Sequence, residues 1–448
     1  MTFLKTYSKG ILCLLLIVAS FSCNKETPTP TGNSFVNNFE ATLVTDWLDL
    51  SLDLGTKCNG FNDPIASRAL YYVSLTCYES LLGGLYNYKS LQTRINGFNT
   101  TLPQADPNKS YNWIIVANQA LAIVSTDLYK ASGVENLARI TKLRDKYVKS
   151  ASIELSTDIV FNSKELGNEI GWKISDFANA DGQADSYLRN FPDVNMPVKE
   201  GSWIPTPPDY SQKPLLPYWG NSKLALLENA TNVAPLRLLT YSTAQTSIMY
   251  SEAVELYNMA TNINPAQREI YEYWHQDKDP HVSPVCHNTS LMIQLIKERK
   301  FQLDHAIELA LRLSIAQYDG YIVSWKTKFS YNLLRPASYI KQNINKYYIP
   351  FYSNTPVPDF VSENALIYSA CSEILGMYFG YRTPFMDYTQ ASRTDLRENR
   401  KYFETFNIMA KEASYSDMLG AIYFRSSIDA GFQMGYDLAQ NVINLELK

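Results

Sequence analysis

Lys328-Phe-Ser-Tyr-Asn-Leu-Leu-Arg335-Pro336 is the stretch around which the rest of the chain arranges itself. Pro336 disfavours helical geometry at the residue before it, so Lys328 is expected near a helix end and Arg335 on the extended segment just after. Two cations fixed in this way suit a tetrahedral oxyanion, with Lys as a point charge and Arg as a fork. A surface lysine and an arginine in a structural salt bridge would leave the same pattern. Histidine is the usual proton carrier beside such an oxyanion site near neutral pH, yet none follows His305. The segment reads as half of a site.

Upstream, Leu303 to Trp325 is the most regular helical pattern, with Ile307, Leu311, Ser314, Ile315, Tyr318 and Ile322 on one face. Further helices are expected over Ala66 to Leu82, Tyr111 to Tyr129, Leu137 to Ile153, Ser247 to Ala260, Pro265 to His275 and Ser290 to Arg299. Three more follow Pro336: Ser362 to Phe379, Arg397 to Ala413 and Asp417 to Asn444. Strand-like alternation is scarce, so the fold class is all-α, a large helical bundle. Seven prolines punctuate 186–221, with Trp203 and Trp219 among them. Aromatics so dense need burial, which makes this a long ordered loop. It joins two bundle halves, about 35–185 and 222–448, of a single domain spanning 35–448.

The whole run from Tyr318-Asp319-Gly320 through Trp325, Lys328 and Arg335-Pro336 resembles the vanadium-dependent haloperoxidase family of the type 2 phosphatidic acid phosphatase superfamily. Gly201-Ser-Trp203-Ile-Pro205-Thr-Pro207-Pro208 and Leu216-Pro217-Tyr-Trp219-Gly220 are similar to that family's Pro-rich loop. Asn62-Asp-Pro64-Ile-Ala-Ser-Arg68-Ala69 resembles its N-terminal helix start, and Trp274-His275 through Cys286-His287 aligns by position. The resemblance covers roughly residues 40–440 and implies the haloperoxidase and acid phosphatase type of bundle.

The resemblance also implies what is altered. The family's Pro-Ser-Gly-His motif corresponds to Val361-Ser362-Glu363-Asn364, preceded by Thr355-Pro356-Val-Pro358-Asp359-Phe360. Ser362 survives, Glu363 replaces the glycine, and Asn364 replaces the acid–base histidine. In the second motif Asp417 stands where a second oxyanion arginine belongs. Tyr423 stands for the histidine that ligates vanadate or attacks phosphorus, and Ser427 for its supporting acid. The oxyanion-binding remnant is therefore Lys328, Arg335 and Ser362.

These replacements change the chemistry. Two carboxylates near a tetrahedral anion repel it, and one unit pair at about 4 Å is worth roughly 4 kcal/mol at an effective dielectric near 20. Histidine exchanges a proton near neutrality; asparagine has none to exchange, and tyrosine titrates near about 10. Internal pairing is expected instead, with Glu363 and Asp417 neutralising Arg335 and Lys328. His275, His281 and His287 recur every six residues, which fits neither one helix face nor a known ligand spacing, so caps and surface histidines are expected and no metal.

At the N-terminus, Lys5 and Lys9 precede an apolar run from Ile11 to Ala19, too short to span a bilayer as a helix. Ser20-Phe21-Ser22-Cys23 resembles a relaxed bacterial lipoprotein cleavage box. Residues 1–22 are read as a signal peptide, Cys23 as the lipidated first mature residue, and 23–34 as a flexible tether. Cys58, Cys77, Cys286 and Cys371 are too sparse for a disulfide framework; a Cys58–Cys77 bridge is left open. The formal charge of −4 becomes more negative by two once Lys5 and Lys9 are removed, which argues against nucleic acid or an anionic membrane surface as the main partner. The expectation is a lipid-anchored bacterial envelope protein, on the outer membrane, with a non-catalytic binding or scaffold role. Its partners are the membrane and an unknown envelope protein or glycan, and the resemblance admits a homodimer. No cofactor is expected. The alternative is a residual phosphatase or haloperoxidase, with vanadate held by Lys328, Arg335 and Ser362.

Overall fold

The computed structural model describes residues 35–275 and 282–448. The signal, tether and Cys23 readings, and His281, lie outside the described residues. Within them the chain is mostly helical: α1 (Thr42–Lys57), α2 (Asp63–Leu81), α3 (Trp113–Leu128), α4 (Val134–Ala151), α5 (Thr157–Asn179), α6 (Ile248–Thr261), α7 (Pro265–Trp274), α8 (Pro284–Arg299), α9 (Leu303–Tyr331), α10 (Pro336–Asn343), α11 (Glu363–Phe379), α12 (Phe406–Leu419) and α13 (Arg425–Ile443). The all-α expectation holds, with one short antiparallel pair, β1 (Phe385–Asp387) and β2 (Lys401–Phe403).

The spine is α9, whose 29 residues extend on the order of 43 Å. It is buried along nearly all its length because α2, α8, α11 and α13 pack around it. Contacts of α2 with α9, and of α1 with α8 and α9, join the segments before and after the Pro-rich loop. Polar residues on α9 serve as ties. Arg312 donates to the carbonyls of Val442, Ile443 and Leu445, where cationic donors satisfy the C-terminal end of α13. Asp319 accepts from the backbone N–H of Ala225 (2.7 Å) and Leu226 (3.0 Å) and from Asn229 (2.8 Å).

The Pro-rich loop is ordered by main-chain bonds. Trp203 N–H donates to Asn332 O (2.9 Å) and Leu334 N–H to Gly201 O (2.9 Å), pinning the segment that carries Arg335. Leu215 N–H donates to Pro356 O (2.9 Å), tying the loop to the turn before α11. Trp203 and Trp219 are both buried. Gly220 is required where the loop meets α9: a Cβ there would lie 2.4 Å from Lys326 N.

Several expectations are corrected. The helix expected from Arg397 is instead β2, because Lys401–Phe403 pairs with Phe385–Asp387; α12 then starts after Thr405, whose side chain accepts from Ile408 N. Asp417 lies in α12 rather than opening the last helix. The chain breaks at 420–424, where Ala421 takes φ +52 and Ile422 N–H turns back to Asp417 O. The helix expected from Ser290 begins at Pro284, capped by Ser283. Cys58 and Cys77 are both buried and not bridged; the Cys58 thiol lies 3.7 Å from Tyr129 O. His287 is not a surface residue: it is buried, with Nε2 2.7 Å from Asp387 Oδ2, which also accepts from Tyr273 OH.

Candidate functional site

The site forms at the C-terminal end of α9. Lys328 occupies that helix's last turn; Asn332, in left-handed conformation, ends it; and Arg335 follows in extended geometry at the head of α10. The turn before α11 brings in Asp359, Ser362, Glu363 and Asn364. The end of α12 supplies Asp417, and the break after it supplies Tyr423. Apart from the half-buried Asn364, these side chains are buried in one small cluster, because α11 packs against α9, α12 and α13 at once.

Lys328 Nζ lies 2.8 Å from Glu363 Oε2. It also donates to the carbonyls of Val361 (2.5 Å), Asp359 (3.2 Å) and Pro358 (3.3 Å) and to Tyr423 OH (3.3 Å). Tyr423 OH in turn donates to Glu363 Oε2 at 2.5 Å. Burial works against the Glu363 charge, but Lys328 and Arg335 override it and hold its carboxyl below the usual range. Burial pushes the Lys328 ammonium down, with Glu363 opposing. Burial drives the Tyr423 phenol well above its ordinary value, so it is a neutral donor here.

Arg335 is held differently. Its guanidinium stacks 4.3 Å from the Tyr423 ring centroid, and Nη2 donates to Asn354 Oδ1 at 2.9 Å. Nε and Nη1 are buried without a hydrogen-bond partner among the described residues. Asp417 pairs with neither cation. It accepts from Ser362 Oγ (3.1 Å) and Asn364 Nδ2 (3.0 Å), and its Oδ1 lies 3.4 Å from His275 Nε2. Burial raises its carboxyl to about 7, despite the pull of Asn364 and Ser362. Burial also lowers His275 to about 3, so the imidazole is neutral. The expected four-group cluster is thus assembled on its Lys328–Glu363 side, whereas Asp417 faces hydrogen-bond donors instead.

Ser362 caps α11, accepting from Ala365 N at 3.1 Å while donating to Asp417. Ser427 donates to Asp359 Oδ2, and Asp359 Oδ1 accepts from Phe424 N at 3.3 Å. Burial raises the Asp359 carboxyl to about 7, with Arg335 opposing. The sequence reading did not single out Asp359, Asn354, Asp63 or the site role of His275. For Asp359 a signal existed: an acid in a Pro-punctuated turn beside a helix cap.

A cleft of about 530 Å³ adjoins the cluster. Asp63, Tyr271, Trp274, His275, Tyr352 and Asn364 line it, with Arg335, Glu363 and Tyr423. Burial raises Asp63 to about 6, against hydrogen bonds from Ser283 and Tyr321. Among the described residues no group of three or more His, Cys, Asp and Glu side chains is placed to hold a metal ion.

Residues 308–448 match the family model of the VCPO second helical-bundle domain. A solved structure described as the first bacterial vanadium-dependent iodoperoxidase is 26% identical over 92% of this chain and 98% of its own, with a TM-score of 0.80. An apo-type bacterial vanadium-dependent chloroperoxidase is 12% identical over 85% of this chain and 94% of its own, at a TM-score of 0.59. A holo-type counterpart gives 12%, 92%, 94% and 0.58. No curated protein matches the chain by sequence.

Proposed function

We propose that this chain, which shares the fold of bacterial vanadium-dependent peroxidases, is a non-catalytic haloperoxidase-like protein, lipid-anchored in the bacterial cell envelope, with a binding or scaffold role. One observation carries the reading. The Lys328 ammonium is occupied by the chain's own Glu363 carboxylate, by Tyr423 and by three carbonyls.

The donor set does not suit vanadate. Lys328 has no geometry left for a second anion while Glu363 is ionised beside it. Ser362 is engaged by Asp417 and Ala365. The two unpartnered nitrogens of Arg335 are buried atoms, so an anion reaches them only if side chains move. Nor is a proton carrier in place: Asn364 does not titrate, Tyr423 stays protonated, and His275 is held neutral far from its ordinary range. Anchoring through Cys23 and the envelope location rest on the N-terminal sequence.

The test is calorimetric titration of the mature protein with orthovanadate, beside thermal-shift series in phosphate. The expected result is no binding at millimolar anion. Micromolar binding that disappears in Arg335→Ala would overturn the reading and return the peroxidase or phosphatase activity as the working hypothesis.

A further inference from the structure

The geometry points to a membrane-facing foot at the N-terminal end of α9, formed by Phe35, Phe39 and Tyr86, which seats the domain on the bilayer with the cleft turned away from it. This rests on the lipid-anchoring reading above and adds an orientation to it.

Three large aromatic side chains cluster where the described chain begins. Phe35 is 58% exposed, Phe39 45% and Tyr86 67%. They are not loose. Val36 N–H donates to Gly84 O (2.8 Å), Tyr86 N–H to Asn37 Oδ1 (2.8 Å), and Leu303 N–H to Phe39 O (2.8 Å). The Phe35 and Tyr86 rings meet edge to face at 5.5 Å. The backbone is thus fixed by three partners while the rings project outward. Phe39 shares a surface groove with Phe301, with Lys300, an exposed cation at the end of α8, and with the exposed acid Glu40. Aromatic rings flanked by a cation are the side-chain chemistry of the bilayer interface, where ring bodies enter the headgroup region and long cations stay wet.

The length of chain outside the described residues selects the occupant. Only eleven residues separate Cys23 from Phe35, a reach of at most about 40 Å even when fully extended. Acyl chains on Cys23 would therefore hold this end of the bundle near the surface at high effective concentration. The same end carries the first turn of α9, where Leu303 is bonded to Phe39. Lys328 lies 25 residues on along that helix, roughly 38 Å away at 1.5 Å per residue. A foot at one end of α9 places the cleft at the other, facing the periplasm or the medium.

The experiment uses the mature full-length protein reconstituted into vesicles of phosphatidylethanolamine and phosphatidylglycerol. Hydrogen exchange is compared with that of Cys23→Ser mixed with the same vesicles, and the mass of the N-terminal peptide reports acylation separately. The expected result is several-fold slower exchange at 35–40 and 84–88 in the acylated protein, and unchanged exchange at 352–355 beside the cleft. The triple variant Phe35→Ser/Phe39→Ser/Tyr86→Ser should stay acylated and vesicle-bound yet lose that protection. Trp172→Ser, an exposed aromatic on α5, should not. An acylated, bound protein with no slowing at these segments overturns the foot alone. An N-terminal peptide without acyl mass overturns the anchor and the foot together. Slowing that grows with protein concentration in the absence of vesicles assigns the patch to a second copy and overturns the proposal.

Discussion

Glu363 Oε2 sits 2.8 Å from Lys328 Nζ in the buried wall of the cleft, and Tyr423 OH donates to the same carboxylate oxygen. Two ions and a phenol therefore satisfy one another where two neighbouring helix ends meet. Removing one partner of a buried pair leaves an uncompensated charge, which is far costlier than replacing the pair as a whole.

Glu363→Gln is expected to destabilise the protein by about 3 kcal/mol, within the range for a broken buried pair. Urea unfolding checks the size. Glu363→Gly should do the same but leave space beside Lys328, so its Tm should rise with added phosphate while the wild-type Tm does not. A phosphate-insensitive glycine variant would show that Glu363 is not what keeps anions out.

Asp417 gives a pH dependence whose sign can be worked out. Its folded carboxyl is raised to about 7 from an ordinary 3.8. The folded state therefore holds the proton more tightly, so this contribution is fully present below 3.8 and is lost as pH rises through 7. Asp417→Asn removes it. The stability of wild type relative to the variant should fall between pH 4 and 7 by up to about 1.4 kcal/mol per pH unit. His275, lowered to about 3 from 6.5, acts oppositely, and because its Nε2 lies 3.4 Å from Asp417 Oδ1 both proteins are compared in a His275→Gln background. Parallel stability curves for the two would contradict the burial-raised carboxyl.

Tyr423→Phe deletes one hydroxyl that both donates to Glu363 and accepts from Lys328. A loss of about 1–3 kcal/mol is expected, the cost of leaving a buried charged group short of a partner. The ring stays, and with it the stacking of Arg335 at 4.3 Å. Thermal denaturation measures the loss; a neutral substitution would mean that the phenol is incidental to the pair.

Gly220→Ala puts a methyl 2.4 Å from the Lys326 backbone nitrogen. Backbone cannot yield as a side-chain tip does, so a destabilisation of about 1–3 kcal/mol is expected. The strain falls one half-turn from Lys328, and limited proteolysis should show faster cleavage within 186–221. Unchanged proteolysis would mean that the main-chain bonds at Trp203 and Leu334 hold the loop without Gly220.

Most long helices could be read from periodic apolar positions, and α9 most clearly, because its pattern is uninterrupted from Leu303 onward. The helices α1, α5 and α10 were not read, and α5 shows why. Gly167 and Gly171 carry no apolar signal, yet they let α5 approach α3 so closely that a Cβ at Gly167 would lie 2.4 Å from Val116 O. The pattern also misread 397–413, because β2 exists only through its pairing with β1, which lies 14 residues earlier at its nearest end. His287 looked like a surface residue for the same reason: its partner Asp387 arrives from a distant segment.

For the site, the sequence alone determined the inventory: a lysine and an Arg-Pro at fixed spacing, acids at 363 and 417, and no histidine after 305. Residue type is local and needs no fold. Which acid meets which cation was decided only by tertiary packing. Glu363 opens α11 and reaches Lys328, whereas Asp417 ends α12 facing Ser362, Asn364 and His275. Charge pairing depends on separations of a few ångströms between groups dozens of residues apart, and burial then sets which of them stays ionised. Neither quantity is written in the order of residues along a single chain.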